Sequence, residues 1–177
     1  VCNREGGEVT NNYRDGSVYN DGGTVTNNWG TVTNNSGTVV NNYADGTVNN
    51  NSRTVTNNSG TVNNNGGTVT NNRGTVNNTS GTVVTNNIGG VVQEYSGQTN
   101  TVETNYGTHE IYDNSAPNAT PTAVYYGVHA LDENEEKVYL GSYKEADQVT
   151  IDALNTYAKE KGYKITGIET VQDYYRQ

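Results

Sequence analysis

The sequence predicts a mostly β protein: a repetitive β-solenoid of about two heptads per coil, followed by a small α+β domain of order β-β-α-β. Three observations predict it. A heptad, G-T-V-T-N-N-x, recurs from Gly23 into the eighties. Each heptad holds a single strongly apolar residue, set among strand-favouring Thr and Val and turn-favouring Gly and Asn. The composition then changes abruptly, with both prolines between residues 113 and 121 and no Leu before Leu131.

The repeat comes first in the chain. Its central valines are Val9, Val18, Val25, Val32, Val39, Val48, Val55, Val62, Val69, Val76 and Val83, seven apart except for two steps of nine. A seven-residue period invites a coiled coil, but that fold needs two apolar positions per heptad. A glycine in every second helical turn would also cost about 1 kcal/mol each time. Each heptad therefore reads as a short T-V-T strand and an N-N-x-G corner. Strand geometry turns Val inward and both threonines outward.

Two features favour two heptads per coil, with a three-sided coil as the alternative. The nine-residue steps come from matching inserts, Tyr13-Arg14-Asp15-Gly16 and Tyr43-Ala44-Asp45-Gly46. With two heptads per coil both fall on one edge, two coils apart. The residue after each valine also alternates. One series is Thr10, Thr26, Val40, Thr56, Thr70, Val84, all β-branched; the other is Tyr19, Thr33, Asn49, Asn63, Asn77. Burying one Val yields roughly 1.5–3 kcal/mol, whereas ordering each backbone costs roughly 1–2 kcal/mol. Inter-coil hydrogen bonds and stacked Asn ladders must supply the difference. Such a thin roll invites self-association as a homo-oligomer or fibre.

The solenoid domain is assigned to 1–111, with irregular final coils from residue 91, and a linker to 112–121. In the domain at 122–177, strands are expected over 124–131, 137–143 and 163–174, with a charged turn at 132–136. An amphipathic helix is expected over 145–161, presenting Val149, Leu154, Tyr157 and Ala158 near one face and stopping at Gly162. This domain is placed as a cap or binding module, since a solenoid needs an end that blocks further stacking.

The composition excludes several functions. Hydrophobic residues make up 31% and the net charge is −9. That charge disfavours nucleic acid, which needs a basic stripe, and anionic membranes; no run is apolar enough for membrane insertion. Cys2 is the only cysteine, so no internal disulfide forms; lipid attachment or an intermolecular bond are the alternatives to an inert thiol. His109 and His129 lie in no metal-ligand spacing. The turn at 132–136 lacks EF-hand spacing. Asp15 and Asp45, roughly 10 Å apart across two coils, are too distant to share an ion. No nucleophile–base pair or phosphate loop is present. The expectation is a non-enzymatic chain without cofactor or metal. The candidate binding surface is the outward Thr-x-Thr face: Thr24, Thr26, Thr54, Thr56, Thr68 and Thr70.

The heptad array resembles low-complexity β-solenoid repeats of bacterial surface proteins and adhesins, and of phage tail fibres. This resemblance implies an extracellular or cell-surface location, or a phage virion, and a host-surface or glycan ligand. The Thr-x-Thr pattern is similar to the threonine arrays of ice-binding solenoids, although Val40 and Val84 replace the second Thr. Residues 138–143, the following helix and 161–165 resemble, more faintly, the peptidoglycan-binding sporulation-related repeat and gyrase-inhibitor-like ligand-binding domains.

Overall fold

The computed structural model describes residues 1–112, 120–143 and 148–165, without the side chains of 148–151 and 165. The strands alternate between two walls. In chain order they are β1 Cys2–Arg4, β2 Glu8–Asn12, β3 Ser17–Asp21, β4 Thr24–Asn28, β5 Thr31–Asn34, β6 Thr38–Asn42, β7 Thr47–Asn50 and β8 Thr54–Asn58. They continue as β9 Thr61–Asn64, β10 Thr68–Asn72, β11 Thr75–Asn78, β12 Thr82–Asn86, β13 Val91–Glu94, β14 Val102–Asn105 and β15 Thr108–Ile111. Even-numbered strands β2 to β14 stack into one seven-stranded parallel sheet. Odd-numbered strands β1 to β15 stack into the other.

One coil is therefore two heptads. Thr54 pairs with Thr68 and Val55 with Val69, fourteen residues on. Where an insert intervenes the step widens to sixteen, as from Thr38 to Thr54. The β-branched series lies on the even sheet and the series drifting to Asn on the odd sheet, so the alternation after each valine is a two-wall signature.

The interior is a row of valines. Val25, Val32, Val39, Val48, Val55, Val62, Val69, Val76 and Val83 are fully buried and form one continuous cluster with Val18 and Val92. The threonines on either side of each valine face outward, as strand alternation requires.

One Asn of each heptad, three residues after Val on the even sheet and two after Val on the odd sheet, departs from the sequence expectation. It belongs to the strand and points inward, not to the corner. Asn12, Asn28, Asn42, Asn58, Asn72, Asn86 and Asn105 are buried in one row, and Asn3, Asn20, Asn34, Asn50, Asn64 and Asn78 in another. Until the rows end at Asn78 and Asn105, each Nδ2 donates to the Oδ1 of the next coil, for example Asn58 to Asn72 at 2.8 Å and Asn42 to Asn58 at 2.8 Å. The same amides bond the corner backbone, as from Asn58 to Gly60 O at 3.2 Å. A buried amide is stable here because its donors and its acceptor are used. Glycine follows at the corner because the coils approach closely: a Cβ at Gly60 would lie 2.3 Å from the carbonyl oxygens of both Tyr43 and Gly46.

Beyond the coils come β16 Ala123–Leu131, β17 Lys137–Tyr143, α1 Gln148–Lys161 and β18 Lys164–Ile165. Strand β16 pairs antiparallel with β15, extending the odd sheet, and β17 and β18 pair antiparallel with β16. The reversal ends the parallel stack. The charged turn forms as expected, with Asp132 Oδ1 accepting the amides of Asn134 and Glu136, both at 2.8 Å. Helix α1 buries Leu154 and Ala158, but Tyr157 is 44% exposed, so Tyr157 does not share the buried face. The helix stops at Gly162 (φ 73°). Tyr163 N–H reaches back to Ala158 O at 2.8 Å, a Schellman-type closure. Most of the expected linker (113–119), the start of the expected helix (145–147), the side chain of Val149 and the strand expected beyond Ile165 lie outside the described residues.

Candidate functional site

Three places in the solenoid gather groups with chemical potential: the outer face of the even sheet, one corner, and the last coil.

The outer face holds all six sequence-predicted threonines. Thr24, Thr38, Thr54, Thr68 and Thr82 pair in register along consecutive strands. Thr26, Val40, Thr56, Thr70 and Val84 occupy the next outward position of the same strands. All six threonines are half-buried by their neighbours. Beside them runs an outer amide row in which Asn71 donates to Asn57 (3.1 Å), Asn57 to Asn41 (3.0 Å), Asn41 to Asn27 (3.1 Å) and Asn27 to Asn11 (3.0 Å). This row donates toward the N-terminus, whereas the buried rows donate toward the C-terminus. Asn71 Oδ1 ends the outer row as an acceptor, because the equivalent residue in β12 is Thr85.

The corner joining the even sheet to the odd one carries a column of its own. Its backbone bonds, from Trp29 N to Asn12 O, Tyr43 N to Asn28 O, Ser59 N to Asn42 O, Arg73 N to Asn58 O and Asn87 N to Asn72 O, place these residues one above another. Tyr13 begins the column. Its ring stacks on Trp29 at 5.9 Å and 7°, and Trp29 stacks on Tyr43 at 4.7 Å and 10°. Offset-parallel rings at such distances attract beyond simple burial. The inserts, expected on a common edge, lie on this corner, and Arg14 of the first reaches Asp45 of the second at 2.7 Å. After Tyr43 the column holds Ser59, Arg73 and Asn87 before a ring returns at Tyr106. There a groove of about 320 Å³ opens, lined by Asn57, Asn58, Ser59, Asn71, Arg73 and Asn87. Among the described residues Arg73 makes no ion pair. The sequence contained this column, since Tyr13, Trp29 and Tyr43 occupy the x position of alternate heptads, but only a fixed two-heptad coil reveals it.

The last coil exchanges the interior residue types. Glu94 takes the Asn position in β13 and His109 the Val position in β15, and both are buried. Glu94 receives hydrogen bonds from Asn78 Nδ2 (2.8 Å), Ser96 Oγ (2.7 Å) and Thr101 Oγ1. His109 Nε2 stands 3.5 Å from Glu94 Oε2. Burial pushes the Glu94 carboxyl up, but the surrounding His109, Thr101, Asn78 and Ser96 more than offset it and hold the group below the usual carboxylate value. The other histidine, His129, is also buried, with its ring edge-on to Tyr106 at 5.9 Å. Burial, with a contribution from Lys137, lowers its pKa. These groups terminate the stack. Asn105, the last rung of its row, donates to Ser142 Oγ at 3.0 Å, and its N–H donates to Tyr139 Oη at 3.3 Å.

Among the described residues no group of three or more His, Cys, Asp or Glu side chains is placed to hold a metal ion, and no helix is long and apolar enough to cross a membrane. Comparison of the chain with protein-family models, with curated proteins and with solved structures found no match.

Proposed function

We propose that this chain is a non-enzymatic extracellular structural or adhesive protein whose solenoid presents an extended surface for attachment or assembly. The observation that supports the reading most strongly is the outer face of the even sheet. There Thr and Asn columns repeat in register over consecutive coils, at about 4.8 Å per coil, next to a corner where half-buried Trp29 stacks between exposed Tyr13 and Tyr43. A regular face of this kind favours a flat or periodic partner, such as a host-surface glycan or a further copy of the chain. The same surface would serve a phage tail fibre. An ice-binding role fits less well, because Val40 and Val84 interrupt the second Thr column and the opposite wall carries Asn.

The test replaces Thr54, Thr56, Thr68 and Thr70 together by lysine in the full chain. The variant and the parent are compared on a glycan array and by sedimentation, with circular dichroism as the folding control. The proposal expects a folded variant with retention or self-association reduced at least tenfold. A folded variant that is retained and associates like the parent would overturn it.

A further inference from the structure

The corner column is a ladder of flat groups with one rung missing. Tyr13, Trp29 and Tyr43 stack coil upon coil. The next level holds Ser59, whose side chain is too short to continue the stack, and the level after that holds Arg73. Tyr43 and Arg73 stand two coils apart, about 10 Å by strand spacing. One flat ring at the level of Ser59 would lie a single coil spacing from each, matching the 4.7 Å of the Trp29–Tyr43 stack.

The walls of this slot are polar. The groove is lined by Asn57, Asn58, Ser59, Asn71, Arg73 and Asn87, so it opens at the level of Ser59, one coil above Tyr43, and runs past Arg73. Asn71 Oδ1 is the terminal acceptor of the outer amide row. Asn57, Ser59 and Arg73 are exposed, and Arg73 has no acidic partner among the described residues. An aromatic ring would stack on Tyr43 yet leave these donors and acceptors unused. A pyranose ring suits both demands. Its apolar C–H face covers the tyrosine, and its hydroxyls meet the amides and the serine. A carboxylate on the ring would take the guanidinium, which binds planar anions bidentately.

We propose that the slot at Ser59, between Tyr43 and Arg73, is a binding site for a uronic-acid pyranose within an acidic glycan. This rests on the attachment reading above and gives it one ligand class and one location. Only a single cation is offered, so recognition is of one ring and its carboxylate.

The experiment titrates the full chain with trigalacturonic acid, and separately with neutral galactotriose, by calorimetry and by the emission of Trp29, the sole tryptophan. The proposal expects saturable binding of the acidic trisaccharide with a change in Trp29 emission. Arg73→Gln should weaken that binding at least tenfold and leave the weaker neutral titration unaltered. Ser59→Tyr supplies the missing rung; it should raise the melting temperature and abolish binding. No binding by the parent chain, equal binding by Ser59→Tyr, or binding indifferent to Arg73→Gln would each overturn the proposal. These soluble titrations read the slot alone. Array retention that survives their failure leaves the attachment reading standing, and slot binding without array retention removes that reading instead.

Discussion

Asn58 illustrates the interior at the scale of one residue. Its Nδ2 serves Asn72 Oδ1, Gly60 O and Thr75 O, while its Oδ1 accepts from Asn42 Nδ2 and Gly60 N. Asn58→Ala would orphan the facing groups of Asn42 and Asn72 in a dry interior, and each unsatisfied group costs about 1–3 kcal/mol. Urea unfolding should therefore show a loss of about 2–4 kcal/mol; an unchanged midpoint would mean the ladder contributes little. Arg53 presents the opposite case. It occupies a corner position held by Gly in neighbouring coils and has φ 83°, where a non-glycine side chain costs roughly 1–2 kcal/mol. Arg53→Gly should gain about 0.5–1 kcal/mol once the added freedom of the unfolded chain is subtracted, read as a higher melting temperature. Two buried titrating groups at the end of the stack, His129 and Glu94, act in one direction. His129 has its pKa lowered by burial and Lys137. Its contribution to stability is thus complete above about pH 6.5 and is lost as the pH falls through the folded value. Glu94, also lowered, contributes fully above the ordinary carboxylate range and loses that contribution as the pH falls through its own folded value. Melting temperature should fall on acidification in two stages, the first beginning below about pH 6.5 and missing in His129→Gln. Stability that rises on acidification would contradict the assignment.

At the scale of elements, the junction between coils and cap depends on close approach. Gly127 N–H bonds Gly107 O at 2.7 Å. A Cβ at Gly127 would lie 2.0 Å from Asn105 O and 2.4 Å from Tyr106 Cα. Those atoms are backbone and do not move aside easily, so Gly127→Val should detach β16 from the last coil at a cost of about 2–4 kcal/mol. Limited proteolysis should then cut the chain after residue 112 much faster, with the coils remaining protected; unchanged protection would show that the cap docks elsewhere. The cap strands and turn were legible in sequence because a nine-residue apolar strand, an acidic turn and a second strand leave few alternatives. The face of α1 was less legible. A helix of low apolar content offers several arcs, and only tertiary contact distinguishes buried Leu154 and Ala158 from exposed Tyr157.

Over the whole molecule, the valine period and the paired inserts were enough to anticipate parallel walls with Val inside and Thr outside. Stacked Asn ladders were anticipated as well, but three things were not legible. Asn reads as a turn former one residue at a time, and becomes a core residue only when identical amides stack and satisfy one another. The aromatic column and its gap at Ser59 are invisible along the chain, because the residues that touch are fourteen or sixteen positions apart. The buried Glu94–His109 contact was hidden for the same reason. Every inference about the interior, the outer face and the corner therefore depends on the coil being two heptads long. Multidimensional NMR of the labelled full chain tests this most directly through side-chain amide contacts of Asn58. The two-walled solenoid predicts contacts from Asn58 to Asn72 and to Asn42, with amide contacts between Val55 and Val69. Contacts that instead join residues twenty-one apart, the signature of a three-sided coil, would contradict it.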